Sequence, residues 1–226
     1  MTSYACTSDV IRILYFGRKS HVMILLFDGK IIIAIKYQGV TALMALLRVM
    51  ANESKLICAF GVIADVQYAD MNDGMDHSRI THRYYRRSLD LVKTAVRDWS
   101  TGRHRAEFIL QLGDLIDGHN ASLGTSKSSL DAVMSELTRG RQRVYHVLGN
   151  HDLYNFGRDE LLTSAHMKSS FVNEDGVSTP TPGRTGYYHF APAEGFRIVV
   201  LDNYEISMLG QDDTADGYRL VQGVQE

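Results

Sequence analysis

The sequence has few of the features that mark secreted, nucleic-acid-binding or membrane-spanning proteins. Its 226 residues include two cysteines, Cys6 and Cys58, which cannot build a disulfide framework and which fit a reducing compartment. The formal net charge is −2 and the pI is near 6.5, so the chain lacks the basic excess that nucleic acids and anionic membranes attract. We therefore expect a cytoplasmic protein with no nucleic-acid or membrane partner.

A long uncharged hydrophobic run is also missing. Residues 21–50 are rich in aliphatic side chains, but Asp28, Lys30 and Lys36 interrupt them, so there is no apolar stretch of about 18 residues for a membrane span. Two short apolar runs flank Asp28-Gly29, a favourable turn sequence, which predicts a hairpin followed by a short helix. A degenerate targeting segment is the alternative interpretation.

Length and composition indicate one folded domain that follows this segment in the sequence. Apolar residues make up 45% of the chain, which is enough for a sizeable core and too much for a disordered protein. We assign residues 1–54 to an appendage of unknown role and residues 55–226 to the domain. Its predicted elements are strands at 56–65, 107–112 and 143–148, helices at 79–100 and 128–140, and two later strands at 185–191 and 196–202. This alternating order predicts an α/β fold with parallel strands and helices covering the sheet.

The elements differ in their sequence signals. The first strand, LICAFGVIAD, is almost wholly apolar, as expected for a strand buried on both faces. In the second helix, Ser128 and Asp131 have capping-box spacing, and Gly140 marks the expected end. The first helix has apolar residues at three- and four-residue spacing, namely Tyr85, Leu89, Val92, Val96 and Trp99.

Polar side chains follow three of the strands where each strand ends. The carboxyl ends of parallel strands meet at one edge of a sheet, and ligands bind there in open α/β folds. Gly113 and Gly149 allow sharp turns and close backbone approach at this edge. The side chains delivered to it are Asp65 and Gln67 from the first strand, Asp114 and Asp117 from the second, and Asn150, His151 and Asp152 from the third.

Four of these residues suit a centre with two metal ions. Asp114 can bridge two cations, one through each carboxylate oxygen. Asp65 and Gln67 can complete the ligands of the first cation, and Asn150 offers a carbonyl oxygen to the second. Two ions about 3.5–4 Å apart can clamp a phosphoryl group and activate a bridging water for in-line attack.

His151 adjoins Asn150 and is expected to face the substrate. Its imidazole can hydrogen-bond a phosphoryl oxygen or protonate the leaving group. Either Asp152 or Asp117 could orient the ring or support the metal ligands.

The words ADVQ, GDLID and GNHD resemble the metal-binding motifs of the metallophosphoesterase (calcineurin-like) superfamily. The flanking stretches resemble one branch, the manganese-dependent ADP-ribose/CDP-alcohol diphosphatases: FGVIADVQYAD, RYYRRSL, LQLGDLIDGHNA, LGNHDLYNF and VVLDNYEISMLG. Gln67 stands where the superfamily usually has His, and this exchange points to that branch. An amide oxygen in place of an imidazole nitrogen also suits Mn²⁺ or Mg²⁺ better than Zn²⁺.

The resemblance implies a fold, a site and a reaction. The fold would be a β-sandwich flanked by helices, in α/β/β/α layers. Metal ligation would involve Asp65, Gln67, Asp114 and Asn150, with His151 catalytic and Mn²⁺ as the cofactor. The substrates would be ADP-ribose, CDP-choline or CDP-glycerol, whose phosphoanhydride bond is hydrolysed to two phosphomonoesters. A phosphomonoesterase or cyclic-nucleotide phosphodiesterase, and a non-catalytic variant, are the alternatives.

One part of the superfamily pattern is absent from the chain. A later metal-binding His and a Gly-His-x-His pair would be expected, and the sequence contains no Gly-His-x-His. His166 and His189 come too early to replace these ligands, and His189 alternates with Tyr187 in a strand, where we expect it to be packed or exposed. We therefore expect a truncated sandwich that is weakly active or inactive by itself, and a monomer.

Overall fold

The computed structural model describes three short segments before residue 53 and most of the chain after it. The described residues are 23–26, 31–34, 41–51, 53–75, 79–80, 82–102, 105–168, 170, 186–193, 196–202, 204–205, 207 and 209. The strands are β1 (Met23–Leu26), β2 (Ile31–Ala34), β3 (Thr41–Ala51), β4 (Glu53–Ala64), β5 (Gly74–Met75), β6 (His82–Arg83), β7 (Phe108–Gln111), β8 (Arg143–His146), β9 (Tyr188–Ala193) and β10 (Phe196–Val200). The helices are α1 (Arg87–Thr101), α2 (His119–Leu123), α3 (Ser126–Thr138), α4 (Asn150–Asn155), α5 (Arg158–Thr163) and α6 (Ala165–Lys168). No described helix has both the length and the apolar composition needed to cross a membrane.

The first sheet has the strand order β3-β4-β7-β8. Its last three strands are parallel, with Ile63 opposite Gln111 and Gln111 opposite His146. The parallel β-α-β-α-β arrangement predicted from the sequence is therefore confirmed. Since all three strands point the same way, their carboxyl ends meet at one edge, and the polar residues follow them there.

The second sheet has the order β1-β2-β10-β9. The predicted hairpin around Asp28-Gly29 is confirmed, because β1 and β2 are antiparallel and Leu26 lies opposite Ile31. Strand β2 is parallel to β10, and β10 is antiparallel to β9. Strands from before residue 54 thus pair with strands from after it. The predicted boundary between an appendage (residues 1–54) and the domain (residues 55–226) stays a prediction.

The two sheets pack against each other through an aromatic core. Phe108 of β7 and Tyr145 of β8 both contact Phe190 of β9, with ring centroids 5.3 Å and 3.6 Å apart. Phe60 of β4 stacks on Phe108 at 4.9 Å. Side chains that alternate along each strand therefore supply one face of a β-sandwich, as the period of two requires.

The opposite face of the first sheet is covered by α1 and α3. Ile109 of β7 belongs to a buried cluster with Trp99 of α1 and Leu137 of α3. Trp99 lies so close to β4 that a Cβ on Gly61 would be 2.6 Å from its ring, which explains the glycine inside an apolar strand. The predicted α/β class with a helix-covered β-sandwich is confirmed, and the fourth layer of the expected α/β/β/α order stays a prediction.

The short helix predicted after the hairpin is wrong. Residues of that segment form β3, which pairs with β4 in antiparallel register from Thr41 opposite Ala64 to Ala51 opposite Glu53. The segment TALMALLRVMA contains many good helix formers, but an adjacent strand supplies backbone partners along its whole length. Tertiary pairing therefore overrides local propensity.

The predicted starts of both longer helices also need correction. Helix α1 begins at Arg87 and not at residue 79, because the chain first forms β6 and then a turn that buries Tyr85. Helix α3 begins at Ser126, so Ser128 lies in its first turn and donates its hydroxyl to the carbonyl of Thr125 at 3.0 Å. The predicted capping box is therefore wrong, and the helix ends at Thr138, before Gly140.

Candidate metal centre

The loops that follow β4 and β7 run side by side beyond the ends of the strands. The backbone N–H of Asp65 donates to the carbonyl of Gly113 at 3.2 Å, and that of Gln67 donates to the carbonyl of Asp114 at 2.9 Å. Tyr68 then forms a parallel bridge with Ile116. These bonds bring the first and second groups of predicted ligands together at the sheet edge.

Three of the predicted ligands have a strained backbone. Asp65, Gln67 and Asp114 have φ angles of 53°, 44° and 58°, and Gly113 has a φ of 90°. Left-handed backbone is uncommon for residues other than glycine, and it costs of order 1–3 kcal/mol where it occurs. Such strain clusters at functional sites, where it turns side chains into directions that a regular strand does not allow.

Asp114 lies at the centre of the cluster. Its Oδ2 accepts a hydrogen bond from Gln67 Nε2 at 3.3 Å, and its Oδ1 accepts one from the backbone N–H of His151 at 2.9 Å. Gly149 packs directly on this carboxylate, and a Cβ there would be 2.8 Å from Asp114 Cγ. Asp114 therefore connects the loops after all three parallel strands.

Asp152 holds these loops in register through hydrogen bonds to the backbone. Its Oδ2 accepts from the N–H groups of Asp114 at 2.8 Å and Gly149 at 2.9 Å. Its Oδ1 accepts from the N–H of Leu115 at 2.9 Å. A carboxylate that receives three backbone N–H groups is held firmly, and here it fixes the backbone of the predicted bridging ligand.

Asn150 is the first residue of α4, between Gly149 and His151, both of which lie against Asp114. This placement brings the fourth predicted ligand to the same edge as the others. Asp65, Gln67 and Asp114 are 0%, 5% and 2% exposed, so two carboxylates and an amide are buried together. Buried carboxylates require a compensating positive charge or several hydrogen bonds.

The donor set fits a hard cation. Within the ranges described above, no three His, Cys, Asp or Glu side chains form a metal site by themselves. The predicted set contains only two such residues, Asp65 and Asp114, and its other members, Gln67 and Asn150, supply amide oxygens. Oxygen donors of these kinds suit Mn²⁺ and Mg²⁺.

His151 is oriented by the loop after β7. Its Nδ1 accepts a hydrogen bond from the N–H of Gly118 at 3.0 Å, and Asp117 Oδ2 lies 3.4 Å from the same nitrogen. The proton of the neutral ring is therefore on Nε2. Tyr154 packs against the ring at a centroid distance of 5.3 Å. The other oxygen of Asp117 lies 2.6 Å from Nδ1 of His119, a contact that the sequence did not indicate.

Two further residues at this edge were missed by sequence reasoning. Arg83 donates from its guanidinium to Gln67 Oε1, the oxygen predicted to face a metal. Burial, and then the nearby carboxylates of Asp114 and Asp152, raise the pKa of Tyr204 to about 12. Both residues lie in stretches that resemble the diphosphatases, RYYRRSL and VVLDNYEISMLG, and that resemblance was the one available signal.

The two late histidines contact residues outside the predicted ligand set. His166 Nε2 is 3.8 Å from Asp131 Oδ1, on α3. His189, in β9, is partly buried, and its Nδ1 lies 3.0 Å from Nη1 of Arg197. Neither of these contacts involves Asp114, and the expectation that the two histidines do not replace the missing ligands stays a prediction.

Comparison with known proteins gives a consistent result. A family model described as calcineurin-like phosphoesterase matches residues 59–223. The manganese-dependent ADP-ribose/CDP-alcohol diphosphatase of Mus musculus is 42% identical over 171 residues, which are 74% of this chain and 50% of that protein. The Homo sapiens protein of the same name is 41% identical over 172 residues, covering 75% of this chain and 50% of that protein.

A solved structure agrees with the sequence matches. A dimetal phosphatase from Danio rerio superposes with a TM-score of 0.63 at 40% identity, and the match covers 73% of this chain and 50% of that chain. The chain spans about half the length of the curated relatives that it matches.

Proposed function

Since the chain belongs to the calcineurin-like phosphoesterase family, we propose that it carries the metal centre of a manganese-dependent hydrolase of nucleoside diphosphate derivatives. The substrates are ADP-ribose, CDP-choline and CDP-glycerol, in keeping with the names of the relatives. The observation that carries the proposal is the convergence of Asp65, Gln67 and Asp114 at one sheet edge, with Asn150 and His151 beginning a helix against Asp114.

The proposed ligands of the metal ions are Asp65, Gln67, Asp114 and Asn150, with Mn²⁺ as the cofactor and Mg²⁺ as a substitute. When bound, manganese supplies an acidified water as nucleophile and neutralises charge on the phosphoryl group. The hydrogen bonds from Gln67 and from the N–H of His151 hold the two oxygens of Asp114 in place. Addition of water across the P–O–P bond gives two phosphomonoesters, which are AMP and ribose 5-phosphate when the substrate is ADP-ribose.

We assign His151 the role of hydrogen-bond donor to the reacting phosphoryl group. With Nδ1 occupied by the N–H of Gly118, the neutral ring presents Nε2–H outward. A fixed donor aimed at an oxygen that gains charge stabilises the transition state. Asp117 Oδ2, 3.4 Å from Nδ1, supports the ring on the side away from Nε2. A cytoplasmic location and a monomeric state stay predictions.

The experiment is a substrate panel with the 226-residue chain and millimolar Mn²⁺. Release of AMP from ADP-ribose and of CMP from CDP-choline, with little release of p-nitrophenol from p-nitrophenyl phosphate, supports the diphosphatase assignment. The reverse preference favours the phosphomonoesterase alternative. Tight Mn²⁺ binding without turnover of any substrate favours the non-catalytic alternative.

Two variants separate metal ligation from catalysis. Asp114→Ala removes the central carboxylate and should abolish both Mn²⁺ binding and turnover. His151→Ala should leave Mn²⁺ affinity nearly unchanged and lower kcat by roughly 10²–10⁴-fold. Loss of Mn²⁺ binding in His151→Ala would instead make His151 a metal ligand and overturn its assigned role.

A further inference from the structure

A second buried polar pair lies between the first sheet and its helices. Gln111 ends β7 and His146 ends β8, and the two residues are direct partners across the strands. They are 1% and 2% exposed. Their neighbours Leu110 and Tyr145 belong to the core between the sheets, so the strand alternation turns Gln111 and His146 to the opposite face.

One hydrogen bond joins the pair, and it does not involve Gln111 Nε2 or His146 Nε2. His146 Nδ1 lies 3.1 Å from Gln111 Oε1. Burial, and then the charge of His166, lowers the pKa of His146 to about 3, so the ring is neutral near pH 7. A neutral ring that donates from Nδ1 has an acceptor at Nε2, while Gln111 Nε2 is a donor. Exchanging the amide oxygen and nitrogen exchanges these two roles, so at least one donor and one acceptor remain in either assignment.

Neither nitrogen has a hydrogen-bond partner within the part of the chain that the structure describes. Gln111 and His146 line a cavity of about 20 Å³, together with Asp152 and Ser164. Apart from His166, the rest of the wall is apolar. A cavity needs roughly 10–15 Å³ to admit one water molecule, and a buried water needs two to four polar partners.

We propose that this cavity binds one ordered water molecule, which accepts a hydrogen bond from Gln111 and donates one to His146. A single water satisfies a donor and an acceptor at once, and a cavity of about 20 Å³ is close to the size that one water requires. Its second hydrogen has Ser164 Oγ or the Asp152 carboxylate as an acceptor on the same wall. Because Asp152 also fixes the backbone of Asp114, the water is part of the buried support beneath the metal-binding loops.

The test is a water–protein NOE and ROE experiment on the ¹⁵N-labelled chain, with the side-chain amides assigned through their covalent bonds. The Gln111 amide should show cross-peaks to water with the signs of a long-lived bound molecule. Asn120 is the matched control inside the same protein. It is 0% exposed, but its Nδ2 donates to the carbonyls of Tyr68 and Asp117, both at 2.8 Å. Its amide should show no such cross-peak.

The control also covers a possible artefact, since hydroxyl protons that exchange with water can imitate a bound water. The hydroxyls of Thr125 and Ser129 donate to Asn120 Oδ1 at 2.9 Å and 2.7 Å, so an exchange-relayed signal would appear at Asn120 as well. Equal signals at Asn120 and Gln111, or none at Gln111, would overturn the proposal. So would a crystal structure in which a protein group, and not a water, bonds Gln111 Nε2 and His146 Nε2.

Discussion

Replacing Gly149 by alanine should destabilise the protein through one contact, the approach of residue 149 to Asp114. Gly149 has φ −117° and ψ 165°, which alanine adopts without strain. An added Cβ would, however, lie 2.8 Å from Asp114 Cγ and closer still to the backbone of that residue. Neither group can move easily, because Asp152 and the N–H of His151 hold them. The expected cost is that of overpacking a buried site, about 1–3 kcal/mol.

Gly157→Ala is the matched control for this variant. Gly149 and Gly157 both precede a short helix in extended backbone, as the N-caps of α4 and α5, so both replacements carry the same change in capping and in unfolded-state entropy. Among the residues that the structure describes, nothing lies within 4 Å of a Cβ built on Gly157. The difference between the two variants therefore isolates the contact with Asp114.

The assay is urea unfolding of both variants, followed by Mn²⁺ titration of the folded proteins. Gly149→Ala should lose about 1–3 kcal/mol more unfolding free energy than Gly157→Ala. It should also bind Mn²⁺ more weakly, because the predicted bridging carboxylate is displaced. Equal unfolding free energies and equal Mn²⁺ affinities for the two variants would refute the close packing of residue 149 on Asp114.

Three other changes have defined outcomes. Asp152→Asn turns an acceptor of backbone N–H groups into a donor, and should lower the unfolding free energy by about 1.5–3 kcal/mol; an unchanged value would remove its role in fixing the loops. Burial lowers the pKa of His146 from its ordinary value of 6.5 to about 3, so the unfolded chain is protonated first, and stability should fall as pH drops from 6.5 towards 3. In His146→Gln, the slope of unfolding free energy against pH should be smaller by the equivalent of up to about one proton taken up on unfolding. Identical slopes for the two proteins would contradict the buried neutral ring. Gln67→His should raise the affinity for Zn²⁺ relative to Mn²⁺ in competition binding, and an unchanged ratio would exclude Gln67 as a ligand.

The sheet and the polar residues at its edge could be predicted from sequence because local signals agree with the tertiary structure there. A short run of apolar residues long enough for one strand predicts a central parallel strand, because both of its faces must be buried. Polar residues that follow such strands lie at the carboxyl edge of the sheet. The backbone bonds that place Gln67 beside Asp114 follow from that arrangement.

Other features depend on long-range contacts that no local pattern contains. Strand β3 exists because β4 is its neighbour, although its composition favours a helix. Tyr85 fits the helical spacing of α1, yet it lies in the turn before the helix and is buried there. From the sequence, either Asp117 or Asp152 could have oriented His151. The structure places Asp117 beside the His151 ring and shows that Asp152 fixes the backbone of the loops.

The central claim is that Asp65, Gln67, Asp114 and Asn150 bind manganese, and paramagnetic broadening in the ¹⁵N-labelled chain tests it most directly. Substoichiometric Mn²⁺ should first broaden the backbone resonances of these four residues and their neighbours, while Mg²⁺ at the same concentration shifts them without broadening. Residues in the last turn of α1, which lies beside the start of β7 at the opposite end of the sheet, should keep their intensity until much more Mn²⁺ is added. Broadening that begins elsewhere, or that persists unchanged at the sheet edge in Asp114→Ala, would contradict the account.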